Sequence, residues 1–123
     1  MARKRKSVVS IGSLSGVGST AEADISEASA VWLYVKNNGS STTNLQAEVA
    51  DEPVGTAATT WYKWGTDQSN AHIKPAGNAS TVYKVPAHLF SEGSNTHRRL
   101  RFTTTSGSMV LTDMYVELIK VIA

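Results

Sequence analysis

Residues 31–50 read VWLYVKNNGSSTTNLQAEVA, and the fold turns on how they are interpreted. Residues 31–35 are a β-branched and aromatic run suited to a pleated strand. Asn38 and Gly39 both tolerate positive φ and predict a tight turn. Residues 44–50 then alternate, with Leu45, Ala47 and Val49 on one side and Asn44, Gln46 and Glu48 on the other. The expected unit is a hairpin with one buried and one wet face.

Working outward, Pro53 and Gly55 punctuate a loop, and residues 57–64 (AATTWYKW) supply the next strand. A long connection follows, with a short strand expected at 72–74. In residues 81–86 (TVYKVP), Val82 and Lys84 share one face and Tyr83 and Val85 the other. Residues 87–95 read as a loop or one helical turn. Residues 98–105 (RRLRFTTT) place Leu100 and Phe102 inward and Arg99, Arg101 and Thr103 outward. Ser106-Gly107 predicts another hairpin turn, and residues 109–122 are long enough for one bent strand or two shorter ones. Upstream, residues 7–11 are a short β-branched run, and residues 21–30 suit a turn of helix or an edge strand. About eight strands at short spacings, with no helix beyond a turn or two, predict an all-β fold. The expected architecture is an antiparallel β-sandwich of jelly-roll or immunoglobulin-like kind.

One domain fits 123 residues. The division expected is a basic N-terminal arm with a Gly/Ser linker over residues 1–20 and the sandwich over 21–123. Charged residues make up only 18%, so Ser, Thr and Asn must supply much of the polar surface. Cysteine is absent, which excludes a disulfide framework and thiolate metal sites. No apolar run approaches the roughly 20 residues of a membrane helix. Residues 1–13 have the charged start of a signal peptide without its apolar centre, so synthesis in the cytoplasm and no membrane contact are expected. The net charge is +2, but it is unevenly spread: Arg3, Lys4, Arg5 and Lys6 form one cluster, and His97, Arg98, Arg99 and Arg101 another.

Residues 16–21 (GVGSTA) match G-x-G-x-x-G/A. A dinucleotide fold needs that loop to open a helix and then needs strands alternating with helices. The chain reaches a strand by Val31 and never alternates afterwards, so the match is read as accidental. His72, His88 and His97 lack metal-ligand spacing, the carboxylates are scattered, and no G-x-S-x-G is present. No catalytic, cofactor or metal site is expected, and an enzyme ranks last.

The WYKW group at 61–64 is the most informative aromatic cluster. Trp61, Tyr62 and Trp64 are read as core and interface residues, together with Arg99 and Arg101, in preference to a sugar platform over residues 61–70. Arg99 and Arg101 extend the positive surface or pair with acids on a neighbouring strand. Four charges on an arm at Arg3, Lys4, Arg5 and Lys6 neutralise few phosphates, so nucleic-acid binding through it would be weak and salt-sensitive.

The succession DISEASAVWLYVKNNGSSTTNLQAEVA…TTWYKW, then VYKVP and RRLRFTTTSGSMVLTDMYVELI, resembles the small β-sandwich structural proteins of tailed-bacteriophage virions. The resemblance spans residues 24–119 and is a pattern of strands; no binding motif carries over. It implies a capsid decoration (cement) protein or another virion component, located in the virion and commonly oligomeric, with a trimer favoured. The expected partners are the major capsid protein or other virion proteins, contacted partly through the arm. The rival readings are a carbohydrate-binding module at residues 61–70 and a coat protein that touches nucleic acid through Arg3–Lys6.

Overall fold

The computed structural model describes residues 3–26, 28–58, 60–64, 73–85, 99–104 and 110–122. All of its regular structure is strand: β1 (Arg3–Ser15), β2 (Gly18–Ser19), β3 (Ala23–Asp24), β4 (Ala28–Asn37), β5 (Gln46–Ala50), β6 (Tyr62–Lys63), β7 (Ala79–Val85), β8 (Arg99–Thr104) and β9 (Val110–Ile122). One sheet runs β1-β9-β4-β7 and the other β2-β8-β5-β6, with β3 also on β8. Every pairing is antiparallel. The expected β-sandwich is therefore present.

β2 and β3 pair successive stretches of the same strand, Gly18 with Thr104 and Ala23 with Leu100. Between them Thr20 keeps the edge closed: its N–H donates to the Phe102 carbonyl at 2.9 Å, and its Oγ1 accepts from the Phe102 N–H at 3.1 Å. Taken together they are one interrupted edge strand. The chain then crosses between the sheets at every step except β5 to β6, which are neighbours in the second sheet, and it brings its first and last strands side by side, which is the jelly-roll arrangement.

The core lies between the sheets. Val31, Leu33 and Val35 of β4 and Val116 and Leu118 of β9 face Ala47 and Val49 of β5 and Leu100 and Phe102 of β8, all buried. In β7 the expected alternation is present, with Val82 and Lys84 exposed, Tyr83 half-buried and Val85 buried.

The hairpin expected over residues 31–50 does not form. β4 pairs with β7 and β9, while β5 pairs with β6 and β8 in the opposite sheet. The intervening loop satisfies its backbone elsewhere. Thr43 N–H donates to the Pro75 carbonyl, Leu45 N–H to that of Ile73, and Asn78 N–H to that of Gly39, at 2.9–3.0 Å. Buried Asn37 closes the crossing. Its amide donates to the Ser41 and Pro75 carbonyls, both at 3.0 Å, and its carbonyl oxygen accepts from Gly39 N–H at 2.9 Å. A turn-prone Asn-Gly here changes sheets. The wet face expected on β5 is also absent, since Gln46 and Glu48 are buried. Likewise β8 and β9 lie in different sheets, so they are not hairpin partners; residues 105–109, where that turn was expected, lie outside the described residues.

The basic arm and linker expected at 1–20 are mostly strand. β1 pairs with β9 from Arg3↔Ile122 to Ser15↔Val110, because Val9, Ile11 and Leu14 continue an apolar inner face that β9 alone would leave bare. The glycine loop is the passage from β1 to β2: Gly16 takes φ 84°, and Gly18 already belongs to the second sheet. Of the run expected at 109–122, the described residues Val110–Ile122 form one bent strand. Met114 pairs with Gly12 and Leu111 with Leu14, so β9 carries one extra residue there, and Asp113 takes φ 52°.

Candidate functional site

The cationic cluster lies at one end of the β1 edge. Lys4, Arg5 and Lys6 are exposed, and Arg5 sits opposite Lys120 of β9. Lys6 Nζ is 3.4 Å from a Glu117 carboxylate oxygen, a surface pair of small energetic consequence. Arg3 shares the strand through its backbone pairing to Ile122.

The structure brings Trp61, Arg99 and Arg101 together on the outer face of the second sheet. The Trp61 ring has the Arg101 guanidinium carbon 3.9 Å from its centroid and that of Arg99 at 5.0 Å. Arg99 is only 1% exposed; its Nη1 donates to Glu22 Oε1 at 2.7 Å and to the Thr56 carbonyl at 2.8 Å. Arg101 Nε donates to Glu48 Oε1 at 2.8 Å, directly across the strand pair. Two cations, two carboxylates and an indole thus neutralise one another, and the chain segment bearing Thr56 and Trp61 closes over them. The expected pairing of this arginine row with acids is present, but the face is not wet. Sequence reasoning did not single out Glu22; nothing in its local pattern points to a partner 77 residues away. Trp64 packs against the core and its N–H donates to Ala47, whereas Tyr62 stands half-exposed on the edge strand β6. Residues 65–70 of the sugar region lie outside the described residues, as do His72, His88, His97 and Arg98.

A second surface was not anticipated. On the outer face of the first sheet, Tyr34 of β4 and Tyr115 of β9 are register partners whose rings stack 4.5 Å apart, inclined by 8°. One step along, Trp32 lies between Glu117 and Lys84, with the Lys84 ammonium 5.9 Å from its ring centroid. Tyr34, Tyr115, Lys36, Ser80, Val82 and Asp113 border an open recess of about 360 Å³. Loss of water around the Tyr34 phenol, with Glu117 beside it, holds its pKa above the ordinary value. The sequence did carry a signal. If Val31, Leu33 and Val35 face the core, Trp32 and Tyr34 must face away from it.

Among the described residues no group of three or more His, Asp or Glu side chains is placed to hold a metal ion, and no helix is long and apolar enough to cross a membrane.

No family model and no curated protein matches this chain. Among solved structures, it is similar to a chain described under "Bacillus endospore appendages form a novel family of disulfide-linked pili", with TM-score 0.47 and 9% identity over 99% of this chain and 89% of that one. This chain contains no cysteine.

Proposed function

We propose that the chain is a non-enzymatic structural protein of a tailed-phage virion, a capsid decoration (cement) protein that attaches through the cationic end of β1. The observation that carries this reading is the placement of exposed Lys4, Arg5 and Lys6 on a 13-residue edge strand, beside Lys120. An edge strand offers unpaired backbone groups to a neighbour, and clustered cations select an acidic one. The sheet order supports the reading by analogy, since jelly rolls recur in capsid proteins. In this reading the protein works as an oligomer, a trimer being the form favoured, with the major capsid protein as partner.

The test is co-sedimentation of the triple variant Lys4→Glu, Arg5→Glu, Lys6→Glu with empty shells of the cognate virus. The wild type binds, and the variant, folded by circular dichroism, loses most of its binding at low salt. Equal binding by both overturns the role of β1. A wild type that ignores shells but retards duplex DNA, with affinity collapsing as salt rises, favours the coat-protein reading instead. The mass of the purified protein in solution checks the oligomer.

A further inference from the structure

We infer that the recess on the outer face of the first sheet is a binding site for a neutral saccharide. This recess is separate from the cationic end of β1, and its shape starts with the backbone. β9 holds one more residue than either neighbour at the level of Asp113: Tyr115 and Thr112 pair with Tyr34 and Lys36 on β4, as Met114 and Leu111 pair with Gly12 and Leu14 on β1. The extra residue sits at φ 52°, and Gly12 across the ladder at φ 89°. A bulge placed in the middle of a sheet disrupts its ladder and re-aims a side chain. Here both Thr112 and Asp113 face away from the core, where strict alternation would have turned one of them inward. The exposed Asp113 carboxylate borders the recess.

What surrounds that carboxylate has the chemistry of a sugar subsite. Tyr115 covers one face of the Tyr34 ring. With strands ordered β9-β4-β7, the other face is turned toward Val82 and Ser80. An aromatic wall suits the C–H face of a pyranose, and the rim offers what its hydroxyls require: an acceptor at Asp113, a donor at Lys36, and both at Ser80. One carboxylate and one ammonium leave the rim without net charge, so a neutral polyol fits better than an anion. The recess volume of about 360 Å³ is within the usual range for small-molecule sites, roughly 300–1,000 Å³. The aromatic site thus differs from the 61–70 platform considered from sequence, whose Trp61 is engaged by arginines.

The experiment is a backbone-amide NMR titration of the full chain with glucose, galactose, mannose, N-acetylglucosamine, maltose and cellobiose. At least one of these shifts the amides of Tyr34, Lys36, Ser80, Asp113 and Tyr115. Asp113→Asn, which keeps a residue tolerant of left-handed φ, weakens binding about tenfold, and Tyr34→Ala abolishes it. No response to any of the six sugars overturns the assignment. So does a response mapping to Trp61 and Tyr62, or one that Asp113→Asn leaves unchanged.

Discussion

Arg99 shows how much one side chain can hold in this molecule. Its guanidinium is buried beneath Trp61, ties β3's neighbour Glu22 to the loop carbonyl of Thr56, and leaves Nε and Nη2 without a hydrogen-bond partner. Those two nitrogens raise the cost of burial, so the site depends on the contacts that remain. Arg99→Ala strands Glu22 and empties the space under the indole. The expected loss is about 3 kcal/mol, read as a lower urea midpoint. Trp61→Ala should destabilise comparably, because the same stack loses its cover. A Trp61 that can be truncated without effect on stability would point back to a partner-facing role. The phenols give a second test. Burial raises the pKa of Tyr83 and loss of water that of Tyr34, both above the ordinary 10.0. The folded state favours the neutral phenol, so this contribution is complete below pH 10 and disappears as pH rises through the raised values. A urea midpoint that falls above pH 10, and falls less in Tyr83→Phe, is the expected result.

At the level of elements, two junctions decide which strands meet. Gly77 lies where the loop after β4 packs on the approach to β7: a Cβ there would sit 2.5 Å from the backbone of Ser40 and 2.8 Å from Ser41 N. Neither contact can be relieved by turning a side chain. Gly77→Ala should therefore cost about 2 kcal/mol, measured by thermal or urea denaturation, while Gly55→Ala in the exposed loop meets no atom and suffers only from its positive φ. The second junction is β1 itself. Removing residues 1–10 strips β9 of its partner from Ile122 to Tyr115 and opens the long, partly apolar strand to solvent. Such a chain is expected to aggregate or lose cooperative unfolding, not to behave as a folded sandwich missing an arm. These two junctions are also where local reading fell short. An Asn-Gly turn signals a reversal of direction but does not say which strand receives the chain afterwards. A run such as RKRKSVVS carries charge enough to suggest a free tail, yet the alternation of Val9 and Ile11 is meaningful only once β9 lies beside it.

Across the whole molecule, pairings link distant parts of the chain: β1 with β9, β3 with β8, β4 with both β7 and β9. Each must close a long loop before it gains anything. Refolding is therefore expected on the timescale of about milliseconds to seconds, and stopped-flow tryptophan fluorescence checks this; a microsecond phase carrying the full amplitude would contradict the topology. The sequence by itself determined the sandwich class, the strands β4, β5, β7, β8 and β9 and the inward and outward sides of most of them, because side-chain period and turn chemistry are properties of a few neighbouring residues; the length of β1 lay beyond it. Leu100 and Phe102 facing the core, and the β7 alternation, follow from that. Only the tertiary structure decided the partnering of β4 and β5 in opposite sheets, the burial of Glu48 and Arg99, and the meeting of Tyr34 with Tyr115. Those contacts join residues far apart in the chain, and what selects them is the packing of two apolar faces against each other, a quantity no local stretch contains.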